Sequence, residues 1–389
     1  MKITASAKEL SAVASLVAII AKGSESLFQG AGVLIEAKKD WVEIQACDSS
    51  TMLRFKLAES DTLEEGMIVV SADTFAKALK AVSGDGLVTI GTEKTKVSIR
   101  AGTSRFSLPS EPGDGFRFAP RFDTEGPVHT VAWHRIASLI RRTVFVADET
   151  GTRYATNQVV MAVRDGSVSL TTTDGRRIAR ARIEHESTDG DFTVSVPPKA
   201  FDTLKRVVAA ASTAVTSPNL TFGISPEGNL LLVKVGDRAV LASCLVAGDY
   251  PDLEPPLAIS LPVSASVPRE AFLSLVTRVT GLGFKGSNGA LFTFGPNGIG
   301  LVAKSSGLGE AASRLPVDGF GFGEEEVRIF TDPSFVADAL KAMETETVAV
   351  SIGSEIEPIF LREDDLFTYV VASMQQPDEF ESTVVGVEV

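Results

Sequence analysis

Apolar residues recur at helical spacing in three similar segments of the chain, and each segment carries a cation on its opposite face. The segments are Val70–Val82, Val196–Val208 and Thr331–Met343. Each starts with a β-branched residue and continues with serine, proline or an aspartate–proline pair, which are favoured where helices begin. The pattern therefore predicts one amphipathic helix that occurs three times at nearly equal intervals.

A second helical pattern repeats at nearly the same intervals. Leu10, Ile136 and Phe272 form its first apolar column, and the residues three positions later are apolar as well. Amphipathic helices resemble one another by chance, but chance does not explain an interval that two separate patterns share. We therefore predict three repeats with two helices each, over residues 7–22 and 71–82, 132–143 and 197–209, and 268–280 and 332–343.

Short segments of alternating apolar and polar residues surround the helices of each repeat. Val97 and Ile99, for example, alternate with polar neighbours, as expected of a half-buried strand. This arrangement favours an α+β fold in which two helices per repeat pack on antiparallel sheets. Stretches rich in proline, glycine or aspartate at 109–127 and 250–262 are predicted linkers. The expected domains are residues 1–122, 128–254 and 262–376, followed by a tail at 377–389.

The bulk composition is that of an ordinary globular protein with room for two to four domains in 389 residues. Two cysteines provide no disulfide framework, which favours a reducing, cytoplasmic setting. No apolar run reaches the ~18 residues of a membrane span, and we expect no membrane association. The apolar stretch Leu10–Ala21 is not interpreted as a signal peptide, because Leu10 belongs to the repeat.

The formal net charge of −13 argues at first against a nucleic-acid partner. The six predicted helices, however, are net positive as a group, so the rest of the chain is more acidic than the whole. A protein with cationic helices and an acidic remainder can hold a polyanion on one surface and repel it elsewhere.

Candidate catalytic chemistry is weak. Gly281–Gly286 spells G-x-G-x-x-G, but a nucleotide-binding loop needs a strand before it and a helix after it, and here a helix precedes. His129, His134 and His185 do not suggest a metal cluster, and Asp174 is better explained by an Asp-Gly turn than by acid catalysis. We predict no catalytic residue, metal or cofactor.

Four further segments occur in the order and spacing found in one known family: Ile99–Leu108, Thr172–Arg180, Gly248–Asp252 and Tyr369–Met374. With the threefold repeat, they make residues 1–376 resemble the bacterial sliding clamp, the beta subunit of DNA polymerase III. The resemblance implies a head-to-tail homodimeric ring of six domains, with helices lining the hole and sheets outside. Such a ring slides on duplex DNA without reading sequence and tethers DNA polymerase, clamp loader and repair proteins through short peptide motifs.

The resemblance also assigns residues. The helix cations expected to face DNA are Lys8, Lys22, Lys77, Lys80, Arg135, Arg141, Arg142, Lys199, Arg206, Arg269, Arg278 and Lys341. The residues matching the family's peptide-binding pocket are Thr156, Thr173, Gly175, Arg176, Arg177, Ile178, Pro251, Ile356, Val370, Val371, Ala372 and Met374. Phe106 and Leu108 match one side of the family's dimer interface, and Leu282 matches the other.

The pocket departs from the family pattern. Thr156 replaces leucine, Arg176 replaces histidine, Pro255 replaces arginine, and Ala372-Ser373 replaces Met-Pro. These changes predict a less apolar pocket and a different preferred peptide. The tail beyond Met374 follows the pocket in sequence and is a candidate to cover it.

Alternatives remain open from the residues alone. Each cation taken singly fits a solvated helix face, and Phe106 and Leu108 fit an ordinary strand core. The chain as a whole could also be a repeat scaffold that binds only proteins, or an enzyme with an unrecognised site.

Overall fold

The computed structural model describes residues 1–389 except 22–30, 83, 85, 148–156, 187–188, 213–217, 249, 282–288, 306–308, 319, 321–325 and 381–389. The chain divides into two compact units. The first unit comprises residues Met1–Ala137, Val163–Gly166 and His185–Ala247. The second unit comprises Ser138–Ala162, Ser167–Glu184 and Gly248–Val389.

The helices are α1 (Ala7–Ile20), α2 (Ala72–Ala81), α3 (Trp133–Thr143), α4 (Pro198–Ala211), α5 (Glu254–Leu257), α6 (Arg269–Thr280) and α7 (Pro333–Ala342). Short 3-10 turns lie at Gly113–Gly115, Val144–Val146 and Asp378–Phe380. None of these helices is long and apolar enough to cross a membrane, within the residues that the structure describes.

The strands of the first half are β1 (Lys2–Ser6), β2 (Gly32–Lys38), β3 (Trp41–Cys47), β4 (Thr51–Lys56), β5 (Ser60–Glu64), β6 (Gly66–Ser71), β7 (Leu87–Glu93), β8 (Lys96–Ala101), β9 (Ser104–Pro112), β10 (His129–Ala132), β11 (Val159–Arg164), β12 (Ser167–Thr173) and β13 (Arg177–Glu184). Those of the second half are β14 (Phe192–Val196), β15 (Asn219–Ile224), β16 (Leu230–Val235), β17 (Ala239–Cys244), β18 (Val263–Pro268), β19 (Ala290–Gly295), β20 (Gly298–Ser305), β21 (Gly309–Leu315), β22 (Val327–Thr331), β23 (Thr347–Ile352), β24 (Ile359–Glu363) and β25 (Phe367–Val371).

One antiparallel sheet of thirteen strands runs through the first unit, in the order β10-β15-β16-β17-β4-β3-β2-β6-β9-β8-β7-β1-β5. Within it β17 pairs with β4, where Leu241 lies opposite Leu53. Strands of the first and second repeats therefore form one continuous sheet, although a linker separates them in sequence.

Part of the predicted linker at 109–127 is buried in the hydrophobic core of the first unit. Phe116 and Ala119 are 4% and 3% exposed and pack with Leu34 and Leu232. The backbone N–H of Ala119 also donates to Gln45. Residues 109–112 continue β9 and Gly113–Gly115 form a 3-10 turn, so the linker prediction fits only the irregular backbone that follows, and it missed the burial of that backbone.

The helices of the first unit bury the predicted apolar columns. Leu10 and Val13 of α1, Phe75 of α2 and Phe201 of α4 are nearly inaccessible to solvent. Helix α1 packs against both α2 and α4. Burial of these side chains accounts for the amphipathic pattern, because each would expose apolar surface to water outside this arrangement.

The second unit contains strands in the order β12-β13-β25-β24-β23-β18 and a separate sheet in the order β21-β20-β19-β22. Helices α6 and α7 pack together, and Phe272 of α6 meets Phe292 at a ring-centroid distance of 6.4 Å. Asp332 caps the N-terminus of helix α7, and its carboxylate accepts the backbone N–H of Ser334 at 2.9 Å. The repeated helices of the third repeat are thus confirmed as well.

Candidate functional site

The turn between β12 and β13 organises the candidate site in the second unit. Asp174 Oδ1 accepts the backbone N–H groups of Arg176 and Arg177 at 2.9 and 3.0 Å. Thr173 Oγ1 accepts the N–H of Gly175 and donates to the carbonyl of Arg177. Gly175 has a φ of +85°, a conformation that side-chain-bearing residues rarely adopt. The turn therefore holds two consecutive arginines in fixed positions, and Asp174 has the structural role expected of it.

Arg177 is fixed on the inner side of this turn. Its guanidinium contacts Asp174 at 2.8 Å, Asp338 at 2.9 Å and the hydroxyl of Tyr369 at 3.1 Å. It also lies 4.2 Å from the ring centroid of Phe335. Burial alone would lower the pKa of Arg177, but the tyrosine and the two carboxylates raise it above its ordinary value. Arg177 is a permanent, compensated charge.

Arg176 projects from the outer side of the turn. Its side chain is exposed, and its guanidinium lies 4.9 Å from the centroid of the same Phe335 ring. It forms no ion pair with any residue that the structure describes. This arginine can contact a ligand.

A groove of about 580 Å³ lies beside this turn and is mainly apolar. Nine residues of the predicted pocket line it: Thr173, Gly175, Arg176, Arg177, Ile178, Pro251, Ile356, Val370 and Ala372. Four further residues line it: Leu253, Pro256 and Pro358 were not predicted, and Ser373 was noted only as a departure from the family pattern. We call this set the groove. Leu253 and Pro256 lie in the predicted linker 250–262. The apolar residues of this segment indicated a binding surface, which its interpretation as a linker missed.

Three residues of the predicted pocket do not line the groove. Val371 is fully buried in β25. Met374 packs against the cluster of Phe330 and Phe380, and its N–H donates to the Phe330 carbonyl at 2.7 Å. Thr156 lies outside the described residues.

The described part of the tail lies in that same cluster and does not cover the groove. Phe380 is 1% exposed, and its ring centroid is 5.0 Å from that of Phe330. Arg328 donates to the Phe380 carbonyl at 2.6 Å. The expectation that the tail covers the pocket is therefore wrong for residues 377–380.

The predicted DNA-facing cations differ in their surroundings. Lys8, Arg206 and Lys341 are exposed and form no ion pair with a described residue. Lys77 pairs with Asp73 at 2.5 Å, Lys199 with Asp48 at 2.6 Å and Arg141 with Glu344 at 2.6 Å. Each of these paired cations also keeps an exposed surface.

The remaining cations of the set are less available or make local contacts. Arg269 is partly buried, where it donates to the carbonyls of Thr345 and Leu340 and pairs with Glu270. Arg278 is exposed and donates to Ser274. Lys80 is exposed, Arg135 is partly buried, and both make other contacts. Lys22 lies outside the described residues.

The prediction for Arg142 is wrong. This residue is 8% exposed, and its guanidinium pairs with the buried carboxylate of Glu363 at 2.9 Å. Consecutive residues are separated by about 100° around a helix, so Arg141 points outward while its neighbour points inward. A buried, paired arginine cannot contact DNA phosphates directly.

The predicted interface residues lie on the edge of the thirteen-stranded sheet where β9 passes from β6 to β8. Phe106 and Leu108 lie opposite Ile99 and Val97 of β8 and are both partly exposed. On the other side of β9, only Ser110–Pro112 pair with β6. The backbone edge at 104–108 thus has no second strand partner among the described residues. Leu282 lies outside them.

The first unit brings two histidines together that seemed unrelated in the sequence. The rings of His129 and His185 are 5.4 Å apart, and His129 is 1% exposed. Burial lowers the pKa of His185, with further contributions from His129 and Arg135. His134 is exposed, as expected. No group of three or more metal-binding side chains occurs within the described part of the chain.

Comparisons with known proteins all identify one family. Two consecutive domain models match the chain: "DNA polymerase III beta subunit, N-terminal domain" at residues 2–119 and "DNA polymerase III beta subunit, central domain" at residues 130–252. Together they cover more than half of the chain. The beta sliding clamp of Chlamydia trachomatis is 23% identical over 351 residues, which are 89% of this chain and 80% of that protein. That of Halalkalibacterium halodurans is 24% identical over 346 residues, covering 86% and 88%.

Solved structures share the fold over nearly the whole chain. The sliding clamp of Bacillus subtilis has a TM-score of 0.87 at 21% identity and covers 97% of this chain and 100% of that one. The Helicobacter pylori beta clamp bound to a DNA ligase peptide has a TM-score of 0.83 at 18% identity, with the same coverage. The predicted α+β fold of repeated domains is thereby confirmed.

Proposed function

The chain belongs to the DNA polymerase III beta subunit family, and we propose that it acts as a sliding clamp that encircles duplex DNA. In this role it is a processivity factor that holds the replicative polymerase and other replication and repair proteins at their substrate. The observation that carries the proposal is the match of two domain models of this family, in order, along residues 2–252.

The groove is the proposed site for partner proteins. Ile178, Val370 and Leu253 provide apolar surface, and the exposed guanidinium of Arg176 lies at its margin. A volume of about 580 Å³ suits a few side chains of a short peptide. The Helicobacter pylori relative was solved with a DNA ligase peptide. We assign polymerase, clamp-loader and repair proteins to this groove as peptide-bearing partners.

The helix cations are the proposed contacts to DNA. Lys8, Arg206 and Lys341 are exposed and available to phosphates, while the net charge of the whole chain is −13. Contacts of this kind are independent of base sequence and weaken with salt. Arg142 is removed from the set. Lys22, Lys77, Lys80, Arg135, Arg141, Lys199, Arg269 and Arg278 stay in it as secondary candidates.

Ring closure is proposed to use the free edge of β9. Phe106 and Leu108 would meet the region of Leu282 in a second copy, which gives a head-to-tail homodimer. An exposed strand edge with partly exposed apolar side chains suits such pairing. The three domains keep the predicted bounds of 1–122, 128–254 and 262–376. The protein is proposed to work in the cytoplasm, without catalysis, metal or cofactor.

Retention on circular DNA tests the topological part of the proposal. The full-length protein, loaded by its clamp loader onto a nicked plasmid, should remain bound through gel filtration in high salt. Cutting the plasmid once should release it, because a ring slides off a free end. Equal retention on circular and linear DNA would overturn the proposed encirclement, and retention on neither would favour a scaffold that binds only proteins.

A further inference from the structure

A second concavity, of about 240 Å³, lies in the second unit beside Leu257 of α5. Its lining contains three arginines on β13 and β24, the two strands that flank β25, and nothing in the proposed clamp function uses them. We call it the arginine pocket. It is lined by Arg180, Arg182, Leu257, Arg362, Asp364, Asp365, Leu366 and Thr368.

Strand register places this pocket and the groove on the same sheet face. Ile178 lies opposite Val370, and Val370 opposite Phe360, which form an apolar row under Leu253 and Leu257. Two residues along the same strands, Arg180 lies opposite Thr368, and Thr368 opposite Arg362. Side chains two apart on a strand share a face, about 7 Å from one another. The polar row therefore adjoins the apolar row directly.

The first arginine of the pocket is already satisfied. Both terminal nitrogens of Arg180 donate to Glu254 of α5 at 2.8 Å, and its Nε donates to Thr171. This paired guanidinium ties α5 to the sheet and forms one wall. Its charge is neutralised within the chain.

The other two arginines have donors to spare. Arg362 lies 4.4 Å above the ring of Phe360 and uses one terminal nitrogen on the hydroxyl of Ser351 at 3.3 Å. Arg182 uses its Nε on the carbonyl of Asp365 at 2.7 Å. Within the described residues, neither guanidinium forms an ion pair with a carboxylate. Each therefore presents N–H groups that can donate to an external acceptor.

Partial burial makes the lack of a partner costly for Arg362. Desolvation lowers the pKa of this residue, and no carboxylate of a described residue pairs with it. Asp364 and Asp365 are exposed on the turn between β24 and β25, and their carboxylates pair with neither arginine. An anion placed between Arg182 and Arg362 would provide the negative charge that neither guanidinium finds among the described residues.

We infer that the arginine pocket binds carboxylates of the partner segment whose apolar residues occupy the groove. The inference rests on the proposed function of the groove. An extended peptide advances about 3.3 Å per residue, so two or three residues span from the Ile178 row to the Arg362 row. Partner segments of this clamp should accordingly carry aspartate or glutamate next to their apolar anchor residues.

The test compares two fluorescent peptides on the full-length protein by anisotropy. Both peptides carry two leucines and a phenylalanine for the groove. One peptide also carries three glutamates and the other three glutamines, and each is made with these residues at its N-terminal end and, separately, at its C-terminal end. At about 50 mM salt the glutamate peptide should bind about fivefold more tightly, as expected of two partly exposed charge pairs. The preference should vanish at about 0.5 M salt.

Variants locate the effect. Arg362→Gln and, separately, the exposed Arg182→Gln should each reduce the preference to about twofold, and the double variant should abolish it, while binding of the glutamine peptide stays unchanged. Asp364→Asn should increase the preference. Arg121→Gln, which removes an exposed arginine of the first unit, is the matched control and should keep it.

The outcomes separate the two proposals. Equal binding of both peptides to the wild type, or a preference that survives in the double variant, would overturn the arginine pocket and leave the groove intact. Binding of neither peptide would overturn the groove as proposed, and the arginine pocket with it.

Discussion

Arg142 provides the sharpest test of the corrected site, because its replacement separates a structural arginine from a DNA-binding one. The guanidinium contacts Glu363 at 2.9 Å, and the two side chains are 10% and 3% exposed. Glu363 also accepts the backbone N–H groups of Glu344 and Thr345, both at 2.9 Å. Arg142→Ala therefore leaves a buried carboxylate with two of its partners and without its counter-charge.

The expected loss follows from this geometry. Removing one partner of a buried ion pair costs roughly 3–5 kcal/mol. The two remaining N–H donors to Glu363 favour the lower end, about 3 kcal/mol. The contact of Arg142 with the Glu344 carboxylate adds little, since it is 3.5 Å long and the Glu344 side chain is 57% exposed. For a unit of 150–250 residues, about 3 kcal/mol corresponds to a lowering of Tm by roughly 6–12 °C.

Differential scanning calorimetry of Arg142→Ala, Arg141→Ala and the wild type measures this difference. Arg141 is 44% exposed, so its replacement should shift Tm by no more than about 3 °C. Adding Glu363→Gln to Arg142→Ala should recover part of the loss, because the buried charge is then removed. If Arg142→Ala has the same Tm as Arg141→Ala, the buried ion pair is refuted. In DNA binding measured at low salt and below Tm, only Arg141→Ala should be weakened.

Three further predictions concern other parts of the chain. Burial would raise the pKa of Asp48, but the Lys199 ammonium and two backbone N–H groups lower this pKa below its ordinary value. The ionised Asp48 carboxylate therefore stabilises the fold above the unfolded pKa of about 4, and this stabilisation is lost at lower pH. Asp48→Asn should accordingly lower Tm at pH 7 and flatten its decline in acid. Leu108→Lys should convert dimers to monomers in light scattering; persistent dimers would contradict closure through β9. Truncation before Pro377 removes Phe380 and should lower Tm by several degrees, with peptide affinity in the groove unchanged.

The helices and the repeat could be predicted because the core imposes one requirement on every copy. Phe75 and Val336 are fully buried and Phe201 is 2% exposed, so the aligned column reflects the same contact made three times. A period of 3.6 residues is then visible without any knowledge of the partner surface. The α+β class followed from the same patterns, since strands alternate with a period of two.

Contacts between distant segments could not be predicted in this way. The pairing of Leu241 with Leu53 joins two repeats in one sheet, and no local pattern specifies which strand edges meet. Phe116 appeared to belong to a linker because the proline and glycine around it indicate irregular backbone, while its burial depends on strands far away in sequence. The meeting of His129 with His185 has the same cause.

Two pairs of adjacent arginines show that the local sequence does not determine which guanidinium groups are available for binding. Arg141 and Arg142 are identical in local composition, as are Arg176 and Arg177, yet one member of each pair is exposed and the other is held by buried or partly buried carboxylates. Charge counting treats the members alike, whereas binding requires a guanidinium whose donors are free. The groove and the arginine pocket meet that requirement with Arg176, Arg182 and Arg362. Specificity for partner segments should therefore depend on these three residues, rather than on the better-ordered Arg177 and Arg180, whose charges the chain itself neutralises.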